Sequence, residues 1–243
     1  MTYLDLIQSP TLLINEQITR ANLQRMADKA KKHGKKLVPH WKTAQSRRIG
    51  NWAKEYGIQE ITTSSIKMAE YLCGQGWENI HIAFPFNIRE TKRLSHLAKN
   101  QSFSVQVVNV ATADFLAKNL SEPVGFFIEI DAGYGRTGVR FDDFQTIDQI
   151  LAIARGSKNL KFKGFYLHPG HTYYITDKDR VHAESRHALH LLKEKYQAES
   201  PNLLTRLGDT PGCAVMDEFG AARPKGWAYG RQQTGRGHVV SFL

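Results

Sequence analysis

Short apolar runs alternate with amphipathic stretches along most of the chain, and the two periods separate cleanly. Runs at 37–42, 60–64, 79–84, 104–109, 124–130, 161–168 and 203–207 have strand length and are rich in β-branched and aromatic residues. Between them, 44–56, 66–75, 88–99, 111–119, 143–155 and 178–197 repeat their apolar positions at helical spacing. An earlier run, Thr11-Leu12-Leu13-Ile14, reads as a further strand, followed by a helix that opens near Asn15 with Ile18, Ala21 and Met26 on one face. Strands joined by helical crossovers lie parallel, and seven or eight such units predict a (β/α)8 barrel with its chemistry on the loops after the strands.

Composition narrows this picture. With 243 residues, 41% hydrophobic and 23% charged, the chain can bury one full α/β core. No Pro/Gly/Ser-rich linker interrupts the alternation before about residue 215, so 1–215 is expected to be the barrel and 216–243 an irregular tail. Cys73 and Cys213 are too few for a disulfide framework, and no apolar run reaches membrane-spanning length. Together with an N-terminus lacking a basic stretch before an apolar run, this predicts a reducing, cytoplasmic setting. The net charge of +10 does not predict nucleic-acid binding: the run Lys29–Lys36 falls on a helix end, where cations oppose the macrodipole favourably, and aromatics are not interleaved with it. The surplus charge would draw in anionic small molecules.

The strand ends carry the candidate chemistry. Lys42 closes the run Lys36-Leu37-Val38-Pro39-His40-Trp41-Lys42-Thr43, where partial desolvation would leave the neutral amine a Schiff base requires. Strand 124–130 runs into Asp131-Ala132-Gly133-Tyr134-Gly135-Arg136-Thr137-Gly138-Val139, a formal Gly-x-Gly-x-x-Gly. It is not read as a dinucleotide fingerprint, because no helix opens at the third glycine and the next strand ends without a ribose-binding acid. The glycines instead turn the backbone and present Arg136, which suits an anionic oxygen or a ring nitrogen.

After strand 161–168, His168 and His171 stand beside Tyr173 and Tyr174, a set open to metal, acid/base or ring-stacking roles. His182, His187 and His190 lie on the last long helix and are read as its solvated face. Strand 203–207 leads to Gly208-Asp209-Thr210-Pro211-Gly212, a turn whose backbone N–H groups and hydroxyl suit a phosphate, though an ordinary turn has the same composition.

In order and spacing, these segments resemble the fold-type III pyridoxal-phosphate enzymes of the D-threonine aldolase and D-serine dehydratase-like group, relatives of alanine racemase. The resemblance rests on Thr11–Ile14, Pro39-His40-Trp41-Lys42-Thr43, Asp131-x-Gly133-x-x-Arg136-Thr137-Gly138-Val139, Pro169-Gly170-His171-Thr172-Tyr173 and Gly208-Asp209-Thr210-Pro211. It implies pyridoxal 5′-phosphate on Lys42 with His40 beside it, Arg136 at the ring, Tyr173 and His171 bordering ring and substrate, and Gly208, Asp209 and Thr210 at the phosphate. It also implies a lyase acting on small D-3-hydroxy amino acids, by retro-aldol cleavage or by dehydration with Lys42 as α-proton base.

Members of that group continue into a β-rich domain carrying the ligands of a divalent metal, whereas this chain ends at Leu243 with no such ligands expected. Arg223-Pro224 resembles the group's last barrel strand before the match fails, so the expectation is a truncated or frameshifted product, with a barrel incomplete at its last strand. Sharing of the site between subunits in relatives keeps a homodimer open. A pyridoxal-phosphate-binding barrel without turnover, a racemase-like enzyme and a poorly folding fragment stand as alternatives.

Overall fold

Polar side chains start most of the helices. In the computed structural model, which describes residues 3–215 and 238–240, Asn15, Ser46, Ser65, Asn109, Asp143 and Asp177 each accept a hydrogen bond from a first-turn backbone N–H. They open α1 (Glu16–Lys32), α2 (Arg47–Glu55), α3 (Ile66–Cys73), α5 (Val110–Asn119), α6 (Phe144–Arg155) and α7 (Lys178–Tyr196). Helix α4 (Thr91–Ala98) follows a 3-10 turn, Ile88–Glu90, and α8 (Thr210–Val215) is short. The basic run does end α1, with Lys29, Lys31 and Lys32 in its last turn.

The strands are β1 (Lys36–Leu37), β2 (Glu60–Thr63), β3 (Asn79–Pro85), β4 (Ser102–Val107), β5 (Val124–Asp131), β6 (Val139–Arg140), β7 (Leu160–Leu167), β8 (Leu204–Leu207) and β9 (His238–Val240). All ladders are parallel and run β2-β3-β4-β5-β7-β8-β9-β1, with β6 beside β5. A single bridge between His40 and Thr62 joins β1's continuation to β2. This is the expected (β/α)8 arrangement, and its closing seam is thin: two register pairs hold β1 to β9, and three hold β9 to β8. Within the segment read as a tail, 238–240 is therefore a strand, while 216–237 and 241–243 lie outside the described residues.

Two strand expectations change. Thr11–Ile14 forms no strand and leaves Leu12 82% exposed. The run 37–42 is interrupted, because Pro39 has no N–H for a ladder; beyond β1 pairing is reduced to one bridge, in which the Pro39 carbonyl accepts from Thr62 N–H at 2.9 Å and Trp41 N–H donates to the Thr62 carbonyl at 2.8 Å.

A shell of buried aliphatic and aromatic residues, among them Ile61, Leu72, Leu116, Phe126, Ile147 and Leu192, seats the helices on the sheet. The barrel interior is more polar. The His81 ring on β3 lies 5.4 Å from that of Tyr166 on β7, and these strands are not neighbours, so the contact crosses the interior. Arg206 on β8 lies 4.3 Å over the Phe127 ring and pairs with Glu60 on β2, which also meets Lys36 Nζ at 2.8 Å. Gly164 allows β7 to pass β8: its φ is +143°, and a Cβ there would stand 1.8 Å from the Leu204 carbonyl oxygen.

Candidate active site

The predicted site residues converge at the carboxyl ends of the strands, where a barrel of this type presents its loops. Lys42 sits in the turn after β1. Its backbone N–H donates to His40 Nδ1 at 3.2 Å, and His40 Nε2 meets Ser64 Oγ at 3.1 Å. An Nδ1 that accepts leaves the ring proton on Nε2, so the imidazole is neutral and Ser64 is its acceptor. Burial, then the nearby Lys42 and His168, bring the His40 pKa down to about 3. The Lys42 side chain itself is exposed, which corrects the expected desolvation: its turn projects beyond the sheet instead of lying within it.

The β5 end supplies the next group. Asp131 accepts hydrogen bonds from Gly133 N–H and Gly135 N–H at 3.0 Å each, and both glycines have positive φ. No helix follows; β6 does, as expected for a loop that is not a dinucleotide fingerprint. The turn places Arg136 5.4 Å from the Tyr134 ring centroid and Arg136 Nη2 4.0 Å from Oε1 of Glu129. Glu129 is 3% exposed, accepts from Thr137 Oγ1 at 2.7 Å and keeps Oε2 buried without a partner. Burial raises its pKa, against the pull of Thr137 and Arg136.

From β7, His168 Nδ1 donates to the Gly208 carbonyl at 2.8 Å, so in the neutral ring Nε2 is left as an acceptor. Burial is the main cause holding its pKa low, with the Arg136 and Lys42 charges adding to it. The 3-10 turn Gly170–Tyr173 brings in His171, whose ring stacks on Tyr134 at 5.8 Å and whose pKa burial also lowers. Tyr173 is half exposed, its ring 6.5 Å from that of His168. A chain of contacts thus links Lys42, His40, His168, Arg136, His171, Tyr173 and Gly208.

The 208–210 segment differs from the simple turn. Helix α8 starts at Thr210, and Asp209 serves as its cap by accepting from Gly212 N–H at 2.7 Å. The Asp209 carboxylate is fully buried and also accepts from Thr172 Oγ1 at 2.5 Å, so its side chain is turned away from any phosphate. Gly208 is buried and Thr210 exposed.

His182, expected on a solvated face, is fully buried, with Nε2 2.6 Å from Asp209 Oδ1. The approach is too oblique for a hydrogen bond, so the contact is electrostatic in character. Burial works to raise the Asp209 pKa, and the His182 ring with the Thr172 and Gly212 donors holds it below the ordinary value. His190 does stay near solvent, 3.2 Å from Glu194. Glu129, His81 and Arg206 also carry the site's framework; their signal in sequence is a single ionisable residue inside an otherwise apolar strand.

Among the described residues no group of three or more His, Cys, Asp or Glu side chains is placed to hold a metal ion, and no helix is long and apolar enough to cross a membrane.

The chain is 24% identical over 200 residues to 3-hydroxy-D-aspartate aldolase of Paracoccus denitrificans, covering 79% of this chain and 51% of that protein. It is 26% identical over 240 residues to D-serine dehydratase of Dictyostelium discoideum, covering 88% of this chain and 60% of that one. The structure of D-threo-3-hydroxyaspartate dehydratase from Delftia sp. HT23 superposes with a TM-score of 0.83 at 21% identity, over 97% of this chain and 60% of that one. The chain thus spans about half to three-fifths of the length of these relatives. Residues 14–230 match the family described as "Alanine racemase, N-terminal domain", and the chain belongs to that family.

Proposed function

We propose that the barrel binds pyridoxal 5′-phosphate and acts as a lyase on small D-amino acids bearing a 3-hydroxyl. What supports this reading is the chain of contacts that links Lys42, Arg136, His171 and Gly208 through His40, His168 and Tyr134, in a chain whose relatives are named as aldolases and dehydratases of such substrates. The residues fit the cofactor: an exposed primary amine, an arginine beside the Tyr134 ring, and two buried polar atoms, Glu129 Oε2 and His171 Nδ1, without partners in the protein. When bound, pyridoxal phosphate supplies an aldehyde for the substrate amine and a ring that withdraws electrons from the bonds at Cα.

Lys42 Nζ would anchor the aldehyde and, once displaced by the substrate amine, would accept the Cα proton in a dehydration that expels hydroxide. Arg136 would orient the ring, while the backbone at the start of α8 and the Thr210 hydroxyl would take the phosphate oxygens; the Gly208 N–H is already given to the Leu167 carbonyl at 3.3 Å. His171 and Tyr173, at the exposed rim, would border the substrate; a neutral His171 could take the 3-hydroxyl proton when the Cα–Cβ bond breaks to glycine and an aldehyde.

A second reading, cofactor binding without turnover, is favoured by the exposure of Lys42 and Tyr173, because an open mouth excludes little water. Incubation of the loaded protein with D-threonine, D-serine and D-3-hydroxyaspartate separates the two. Glycine plus aldehyde, or a 2-oxo acid plus ammonia, supports the lyase; cofactor binding with no product supports the binder.

A further inference from the structure

Three elements that carry the proposed site meet at one buried carboxylate. Asp209 follows β8 and caps α8, its Oδ2 accepts from Thr172 in the turn that holds His171 and Tyr173, and its Oδ1 faces Nε2 of His182 on α7 at 2.6 Å. All three side chains are fully buried, and His182 Nδ1 has no hydrogen-bond partner. Gly212 is shaped to this contact. A Cβ there would stand 1.7 Å from His182 Nε2 and 2.4 Å from its Cδ2, so only glycine lets α8 lie against the ring.

A buried carboxylate is costly unless polar groups surround it, and the His182 ring is the polar group that α7 sets against it. We propose that His182 is a positioning residue for the phosphate end of the cofactor: through Asp209 it fixes the backbone at the start of α8, where Thr210 lies exposed, and ties it to the His171–Tyr173 turn. His182 itself touches neither cofactor nor substrate in this account. The inference rests on the reading that pyridoxal phosphate occupies the barrel mouth, and it deepens that reading by assigning the residue that makes the phosphate end rigid.

The test compares two ligands that differ only at the phosphate. Absorbance titrations of the full chain with pyridoxal phosphate and with pyridoxal, corrected for the Lys42→Ala background, are run on the unmodified protein, His182→Leu, His182→Asn and Gly212→Ala. His182→Leu should weaken pyridoxal phosphate binding about tenfold or more and leave pyridoxal within about twofold. Asn, which keeps a polar side chain facing Asp209, should restore part of the loss, and Gly212→Ala should reproduce it by displacing the ring. If circular dichroism shows that His182→Leu does not fold, the Asn and Gly212→Ala proteins decide. Equal losses for both ligands, or no loss for either, in folded variants overturn the positioning role while leaving the cofactor reading intact. Failure of the unmodified protein to bind pyridoxal phosphate overturns both.

Discussion

The backbone N–H of Lys42 donates to Nδ1 of His40 at 3.2 Å, so a neutral imidazole holds the turn that presents the lysine. Protonating that ring would set a donor against a donor. His40→Phe should preserve much of the packing while freeing the turn. The expected cost is about 1 kcal/mol of stability, with a larger loss in the rate at which Lys42 is trapped with pyridoxal phosphate by borohydride. Denaturant melts and trapping kinetics on the same sample check both.

Acid should destabilise the barrel before its carboxylates titrate. His40, His81, His168 and His171 all have pKa values lowered in the fold, chiefly by burial. Below the ordinary histidine pKa of 6.5 the unfolded chain therefore binds protons that the folded chain refuses, and stability falls as pH drops from there toward the His40 value of about 3. The slope should be on the order of 1 kcal/mol per pH unit for each such histidine. Glu129, with its raised pKa, works in the opposite sense and offsets part of the loss. Urea midpoints measured from pH 7.5 to pH 5 should decrease steadily.

The Arg206–Glu60 pair closes the barrel interior near the amino-terminal end of β2. Arg206→Met should cost about 3 kcal/mol, because Glu60 stays buried with only Lys36 to match it. Arg206→Met combined with Glu60→Leu should recover a large part of that loss, and a double-mutant cycle in urea reads the coupling directly.

Gly164→Ala should prevent folding. Its φ of +143° and the Leu204 carbonyl 1.8 Å from a built Cβ leave no room to relax without separating β7 from β8. The expected cost exceeds about 4 kcal/mol, visible as loss of the cooperative melt.

Sequence alone delivered the alternation of strands and helices because each crossover carries its own apolar period and cap, as Asn109 and Asp143 illustrate. It missed β1's interruption at Pro39 and the absence of a strand at Thr11–Ile14, since an apolar run does not disclose whether a partner strand reaches it. The site motifs were legible as strand-end clusters. His182 was not, because helical periodicity reports which face is apolar but not that Gly212 and Asp209 have been folded against a polar position on that face. The inward turn of the Asp209 carboxylate was hidden for the same reason: a Gly-Asp-Thr-Pro turn does not disclose that a helix starts at Thr210 and takes the carboxylate as its cap.

The most direct test of the account is the absorbance spectrum of the purified chain with pyridoxal phosphate, before and after borohydride, for the unmodified protein and Lys42→Ala. The account predicts a visible band that borohydride fixes as a stable adduct on Lys42, absent from the variant. No band, or an adduct that persists without Lys42, would contradict it.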